Sequence, residues 1–126
     1  MLRALVVDDN ARALAALTER LAASGEIYVV GWAASGKDAL AKVDLFFPNL
    51  VLLDLNLGDM SGFDVARSIK QRPNPPFVAI VTVHDEPEYE AAASDAGADL
   101  FLSKWSFAEQ MGELLERAKA YMSRGP

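Results

Sequence analysis

Apolar residues along this chain gather into five short runs rich in Val, Leu and Ile: Leu2–Val7, Ile27–Trp32, Leu50–Leu53, Phe77–Val81 and Leu100–Leu102. None alternates cleanly between apolar and polar positions, so each reads as a strand buried on both faces, the habit of parallel sheets. The segments between the runs carry helical spacing instead. Ala11 to Ala23 sets Leu14, Leu17 and Leu21 on one face, with Arg12, Glu19 and Arg20 elsewhere. Phe107, Met111, Leu114, Leu115, Ala118 and Met122 form a stripe along the last segment.

The punctuation agrees with these elements. Ser106 to Glu109 has the capping-box pattern and Ser61 to Asp64 resembles it. Pro87, within Asp85 to Glu88, falls in a first helical turn, where its missing N–H is tolerated. Gly25 and Gly97 sit where helices stop, and Pro73 to Pro76 breaks the chain before the fourth strand. Strict alternation of five strands and five helices with short connections predicts a doubly wound α/β fold, helices covering both faces of a parallel sheet. There is no internal repeat, low-complexity tract or interdomain linker. Residues 1–122 are expected to form one domain, with 123–126 a tail or the start of a truncated linker.

Composition narrows the function. The chain has 126 residues, 52% of them hydrophobic and 24% charged, which suits a collapsed domain burying roughly two-thirds of its unfolded surface. A net charge of −6 argues against a nucleic-acid-binding module, which needs a basic patch. No cysteine is present, so disulfides, thiolate metal sites and thiol nucleophiles are excluded. A single histidine, His84, rules out a multi-histidine metal site. The opening apolar stretch ends at Asp8, and nothing approaches the ~20 apolar residues of a membrane span. The expectation is a soluble cytoplasmic protein.

Open α/β sheets bind ligands beyond the carboxyl ends of their strands, so the residues just past each run carry the chemistry. After the first run come Asp8 and Asp9, with Asn10 placed to cap the next helix. After the third comes Asp54, followed by Asn56; after the fourth, Thr82; after the fifth, Lys104. Taken singly, each has a plain structural role: a turn, a helix cap, a strand filler, a loop charge. As a set they cohere. Three crowded carboxylates call for a hard divalent cation with oxygen ligands, Mg²⁺ (or Mn²⁺). A carboxylate beside such a cation acts as a nucleophile toward phosphorus, giving an aspartyl-phosphate. The metal, a lysine and a hydroxyl then neutralise the phosphoryl oxygens. Asp54 is the expected nucleophile, because it is launched directly from a central buried strand.

These residues resemble the receiver domain of two-component response regulators, the CheY-like fold. The matching stretches are Ala4 to Asn10, Leu50 to Leu57 with Gly62 beyond, Ile80 to Thr82, and Ala96 to Lys104. The resemblance covers residues 2 to about 122. It implies a three-layer sandwich of flavodoxin type with strand order 2-1-3-4-5 and a phosphoacceptor at Asp54. It further implies Mg²⁺ held by Asp9, Asp54 and the backbone carbonyl of Asn56, with Asp8 acting through water. Lys104 and Thr82 would meet the phosphoryl oxygens. Phe101 would rotate inward with Thr82 to switch the surface of the fourth helix, fifth strand and fifth helix, although a permanently buried ring is an equal reading of Phe101. Tyr89 and Tyr121 are expected as surface residues. The implied partners are a sensor histidine kinase or phosphotransfer protein, and a downstream protein or missing output domain. A homodimer through the switching surface is also open; direct nucleic-acid and membrane contacts are not expected.

Several positions depart from the family's usual pattern. Trp105 stands where proline with a cis bond is common; a non-proline cis bond costs ~3 kcal/mol, so a trans bond and a rebuilt loop are expected. Val83 follows Thr82 where a small residue is usual, which should narrow access and slow transfer from bulky donors. Gly58 replaces a proline and should leave its loop more mobile. His84 falls where such domains tune acyl-phosphate hydrolysis; its plainer reading is an exposed loop histidine. The rival functions are an interaction scaffold that is never phosphorylated and a small aspartyl-phosphate phosphohydrolase. For the latter, Asp54-Leu55-Asn56 is similar to the Asp-x-Asp of haloacid-dehalogenase-type enzymes, but lies after the wrong strand, lacks the second acid and has no cap domain. The expected protein is a phosphoacceptor signalling domain and not an enzyme.

Overall fold

The structure is a computed structural model and describes residues 1–84 and 86–124. Asp85 and the last two residues of the expected tail lie outside the described residues. Five parallel strands, β1 (Leu2–Val7), β2 (Ile27–Ala33), β3 (Leu50–Leu53), β4 (Phe77–Thr82) and β5 (Leu100–Ser103), form one sheet in the order β2-β1-β3-β4-β5. The intervening helices are α1 (Ala11–Ala23), α2 (Gly36–Phe46), α3 (Gly62–Lys70), α4 (Pro87–Asp95) and α5 (Phe107–Ser123). This is the doubly wound fold and strand order that the family resemblance implies.

The period-two geometry of a strand sends alternate residues to opposite faces, and both faces are apolar here. Val6, Leu50, Leu52, Val81 and Leu102 pack with Leu17 and Leu21 of α1 and Leu114 and Ala118 of α5. Leu5, Val7, Val51, Leu53, Val78 and Ile80 pack with Val43 of α2, Val65 and Ile69 of α3, and Ala93 of α4. Strands β1, β3 and β4 are therefore covered on both sides. The edge strands are not: Tyr28 and Trp32 on β2 are exposed and β5 alternates between buried and half-buried. Burial on both faces thus fails for the first and last strands in the sheet order, because continuous apolar character in a run does not reveal which strands end up outermost.

Helix ends follow local chemistry with one exchange. Asn10 accepts from Ala13 N–H (3.0 Å), Ser61 accepts from Phe63 N–H (3.0 Å), and Pro87 opens α4. Gly25 and Gly97 adopt φ of +73° and +90° just past α1 and α4, where an L side chain is strained. Ser106, expected to cap α5, makes no side-chain cap bond. A 3₁₀ turn, Lys104–Ser106, precedes the helix, and Ser103 caps that turn by accepting from Trp105 N–H (3.1 Å). No cis peptide occurs among the described residues, so Lys104–Trp105 is trans. The helix runs through Ser123, one residue beyond the expected boundary.

Two side chains exchange their expected places at the end of α5. Met122 is 42% exposed, whereas Tyr121 packs edge-on against Phe77 (5.6 Å between ring centroids). The Tyr121 hydroxyl donates to Pro75 O (2.8 Å) and meets Lys70 Nζ (3.1 Å), which also holds Asp99 Oδ2 (2.8 Å) and Pro76 O (3.0 Å). This brace ties α3, the entries to β4 and β5, and α5 together at the amino ends of the strands. No helix among the described residues is long and apolar enough to cross a membrane.

Candidate functional site

The opposite, carboxyl edge of the sheet gathers the acids. The hydrogen-bond ladder runs one residue past the strands there: Asp8 N–H donates to Ala33 O and Asp54 N–H donates to Val7 O, both at 3.0 Å. That extension fixes the two backbones side by side. Asp8 is fully buried and Asp54 is 8% exposed, while Asp9, one step beyond the ladder, is exposed. Carboxylate oxygens of Asp8, Asp9 and Asp54 lie within 4.8 Å of one another. At an effective dielectric of about 20, each such pair of charges repels by about 3 kcal/mol.

Lys104, delivered by the end of β5, answers part of that charge. Its Nζ stands 2.6 Å from Asp8 Oδ2 and 3.7 Å from Asp54 Oδ2. Three carboxylates and one ammonium leave a net −2. Burial pushes the Asp54 carboxyl above its ordinary range; Lys104 draws it partly back, and the charges of Asp8 and Asp9 raise it further. Asp8 Oδ1 accepts from Asn10 N–H (2.9 Å), but the buried Oδ2 accepts no properly directed hydrogen bond despite its contact with Lys104. A partly neutralised cluster of three carboxylates, with a net −2 that one lysine does not cancel, fits a hard divalent cation. Asp8, Asp9, Asp54 and the Asn56 carbonyl are the groups that could hold it.

The remaining predicted residues surround this centre. Thr82 is fully buried at the end of β4, with its hydroxyl accepting from His84 N–H (3.2 Å). Phe101 pairs with Ile80 across β5 and β4 and is half-buried against the face of α2, α3 and α4. It is neither a sealed core ring nor an exposed one. Val83 (41%) and Trp105 (78%) are exposed beside Thr82 and Lys104. His84 is half-buried rather than free in a loop, stacked on Tyr89 at 5.1 Å and 21°. Tyr89 is correspondingly half-buried and lines a 560 Å³ cleft with Asp9, Asn56, Met60 and Phe63.

Sequence reasoning missed how the loop after β3 is held. Gly62 N–H donates to Leu55 O (2.7 Å), Asn56 bridges to Ser61, and Asp59 reaches across to the start of α2. Gly58 has φ of +81°, a conformation closed to the proline usual there, so the glycine serves the turn's shape. Gly58-Asp59 signals a turn, but nothing in the sequence names the helix that Asp59 meets.

Comparison with known proteins is consistent throughout. The profile of the response regulator receiver domain matches residues 4–118. The sensory transduction protein LytT of Bacillus cereus is 35% identical over 96 residues, covering 76% of this chain and 39% of LytT. The response regulator protein VraR of Staphylococcus aureus is 31% identical over 116 residues, 92% of this chain and 56% of VraR. The chain thus spans about half the length, or less, of these relatives. Among solved structures, the signal receiver domain of the putative response regulator NarL from Mycobacterium tuberculosis superposes with a TM-score of 0.87 at 32% identity, covering 94% of this chain and 96% of that one. A CheY-like receiver domain protein from Methanospirillum hungatei gives 0.83 at 28% identity, with 99% of both chains covered.

Proposed function

Since this chain belongs to the response regulator receiver domain family, we propose that it accepts a phosphoryl group on Asp54 from a histidine kinase or phosphotransfer protein and passes the signal to a partner or output domain. The observation that carries this reading is the three-carboxylate cluster within 4.8 Å, met by Lys104 from the end of another strand. Residues 1–122 act as the receiver, in a cytoplasmic setting.

An Asp54 carboxylate oxygen attacks phosphorus, the P–N bond to the donor imidazole breaks, and the imidazole leaves with the bonding pair. Lys104 offers its ammonium to the transferred oxygens, and the Thr82 hydroxyl turns to donate to them. Mg²⁺ or Mn²⁺, held by Asp9, Asp54 and the Asn56 carbonyl with Asp8 through water, would supply the remaining charge neutralisation. Movement of Thr82 leaves volume beside β4 and β5 into which half-buried Phe101 turns. That alters the α4-β5-α5 face, through which a partner or a second copy docks. Exposed Val83 narrows access for bulky donors, exposed Trp105 next to Lys104 tunes the same edge, and His84, stacked on Tyr89, tunes hydrolysis of the acyl phosphate. The product is a stoichiometric covalent mark, not released substrate, so the role is signalling and not turnover.

Incubation with Mg²⁺ and acetyl phosphate, read by intact mass, tests the reading. One added phosphoryl group is expected, absent without metal and absent in Asp54→Asn. Steady release of phosphate from generic phosphomonoesters would instead favour a hydrolase. No uptake and no Mg²⁺ binding would favour the unphosphorylated scaffold.

A further inference from the structure

The start of α2 presents three backbone amides with no partner inside the helix, those of Gly36, Lys37 and Asp38. Ser35 takes only one of them: its hydroxyl accepts from Asp38 N–H (3.1 Å). The other two are taken by a residue more than twenty positions away. Asp59 Oδ1 accepts from Gly36 N–H at 2.8 Å and Asp59 Oδ2 from Lys37 N–H at 2.9 Å. Both carboxylate oxygens are thus spent on one helix end, where the helix dipole also favours negative charge. These bonds hold the Asp59 carboxyl below its ordinary range.

The contact is close as well as charged. A Cβ on Gly36 would fall 2.8 Å from Met60 Sδ and 2.9 Å from both Met60 Cβ and Val65 Cγ2. Only a glycine lets the loop sit this near the helix. Asp59 and Met60 belong to the loop that runs from Asp54 to Ser61 and carries the Asn56 carbonyl. At its far end the loop is closed by the Asn56–Ser61 bridge and the bond from Gly62 to Leu55. Its middle is held from outside by buried Leu57 and by Met60 packed on the same core face, and, among the described residues, its polar anchor is the α2 terminus.

We propose that Asp59 is a positioning residue for divalent-cation binding: by docking the loop on α2 it holds the Asn56 carbonyl in place beside Asp9 and Asp54. This rests on the cation site proposed above. Asp59 touches neither the cation nor the phosphoryl group. Its loss therefore weakens metal affinity while leaving the transfer step intact once metal saturates. Residues that orient metal ligands typically change affinity by about 10–100-fold when removed.

The test is calorimetric titration of Mg²⁺ into the parent and variant proteins, alongside phosphoryl uptake from acetyl phosphate at limiting and saturating Mg²⁺. Asp59→Ala is expected to raise the Mg²⁺ Kd about 10-fold or more, with uptake at saturating Mg²⁺ close to the parent rate. Asp59→Asn should fall between, since its single amide oxygen replaces one of two acceptors. Gly36→Ala keeps the carboxylate but forces the loop outward and should raise Kd in the same sense; it and Asp59→Asn carry the test if Asp59→Ala does not fold. Ser35→Ala is the control, because it weakens α2 without touching the loop, and its Kd should match the parent. An unchanged Kd in Asp59→Ala, an equal rise in Ser35→Ala, or uptake lost even at saturating metal would each overturn the proposal. A parent protein that binds no Mg²⁺ would overturn the cation site itself, and is distinguished by being measured first.

Discussion

Replacing Gly62 with alanine sets two physical effects against each other, and the structure decides the sign. Gly62 is the first residue of α3, with no left-handed φ to protect. On helix propensity alone, alanine would stabilise by up to about 1 kcal/mol. But a Cβ built there lies 2.3 Å from Asp54 O, 2.7 Å from Leu55 Cα and 3.0 Å from Asp54 C. An ordinary carbon–oxygen contact is about 3.3 Å, so helix and strand end must part by roughly 1 Å. Every atom struck is backbone, which cannot rotate away. Overpacking of this kind costs about 1–3 kcal/mol, and the upper end applies here, leaving a net loss of about 2 kcal/mol. Because the struck carbonyl belongs to Asp54 itself, the same 1 Å displaces the proposed phosphoacceptor. A misplacement of that size costs about 100-fold in rate.

Urea unfolding followed by tryptophan fluorescence, and phosphoryl uptake followed by intact mass, read the two effects separately. Gly112→Ala is the matched comparison. Gly112 lies exposed within α5 and an added Cβ meets nothing within 4 Å, so this variant should gain about 0.5–1 kcal/mol with unchanged uptake. The reasoning is refuted if Gly62→Ala unfolds at the same or higher urea than the parent and takes up phosphoryl at the parent rate.

Asp54→Asn should raise the stability of metal-free protein at pH 7. The folded carboxyl titrates above its unfolded value, so its ionised form opposes folding. The gain should shrink as pH falls through that raised value and vanish below the ordinary carboxylate range; thermal melts from pH 3 to 8 that show a constant difference would contradict this. Mg²⁺ at 100 times its Kd should stabilise the parent by about 2.7 kcal/mol and the Asp54→Asn variant much less. At the other end of the sheet, Lys70→Met strips Asp99 of its counter-ion, leaving among the described residues Val78 N–H on Oδ2 (2.8 Å). The expected loss is about 2 kcal/mol, below the fully buried range because both partners keep some exposure. Tyr121→Phe should cost about 1 kcal/mol. Neither should change phosphoryl uptake, and a fall in either would mean the brace reaches the acid edge.

The fold was legible because it is written twice, in apolar runs and in helix punctuation, and the acids were legible because each follows a strand directly. What stayed hidden depends on contacts between distant segments. Nothing near Tyr121 in sequence announces Pro75 or Lys70, so a hydroxyl-bearing aromatic read as surface while its neighbour Met122 read as part of the apolar stripe. The edge strands misled for the same reason. Ile27 to Ala33 is as apolar as a central strand, and only the sheet order shows that Tyr28 and Trp32 face outward. Ser106 carried the correct capping letters, yet a 3₁₀ turn precedes α5, and the side-chain cap sits at the start of that turn, on Ser103, while Ser106 makes none.

The three carboxylates show most clearly what a list of acids omits. Asp8 and Asp9 are chemically identical neighbours, but the ladder bond to Ala33 buries the first and leaves the second in solvent. Burial then gives Asp8 the nearer share of Lys104, at 2.6 Å against 3.7 Å for Asp54. At an effective dielectric of about 20, that difference is worth about 2 kcal/mol of attraction. Asp54 is thus the buried carboxylate less neutralised by the lysine, consistent with its raised proton affinity. On the proposed reading this division has a use. A nucleophilic oxygen locked against an ammonium would be a poor attacker, whereas one held 3.7 Å away is free to reach phosphorus. The same ammonium, kept in place by Asp8, needs only a short shift to meet the transferred oxygens.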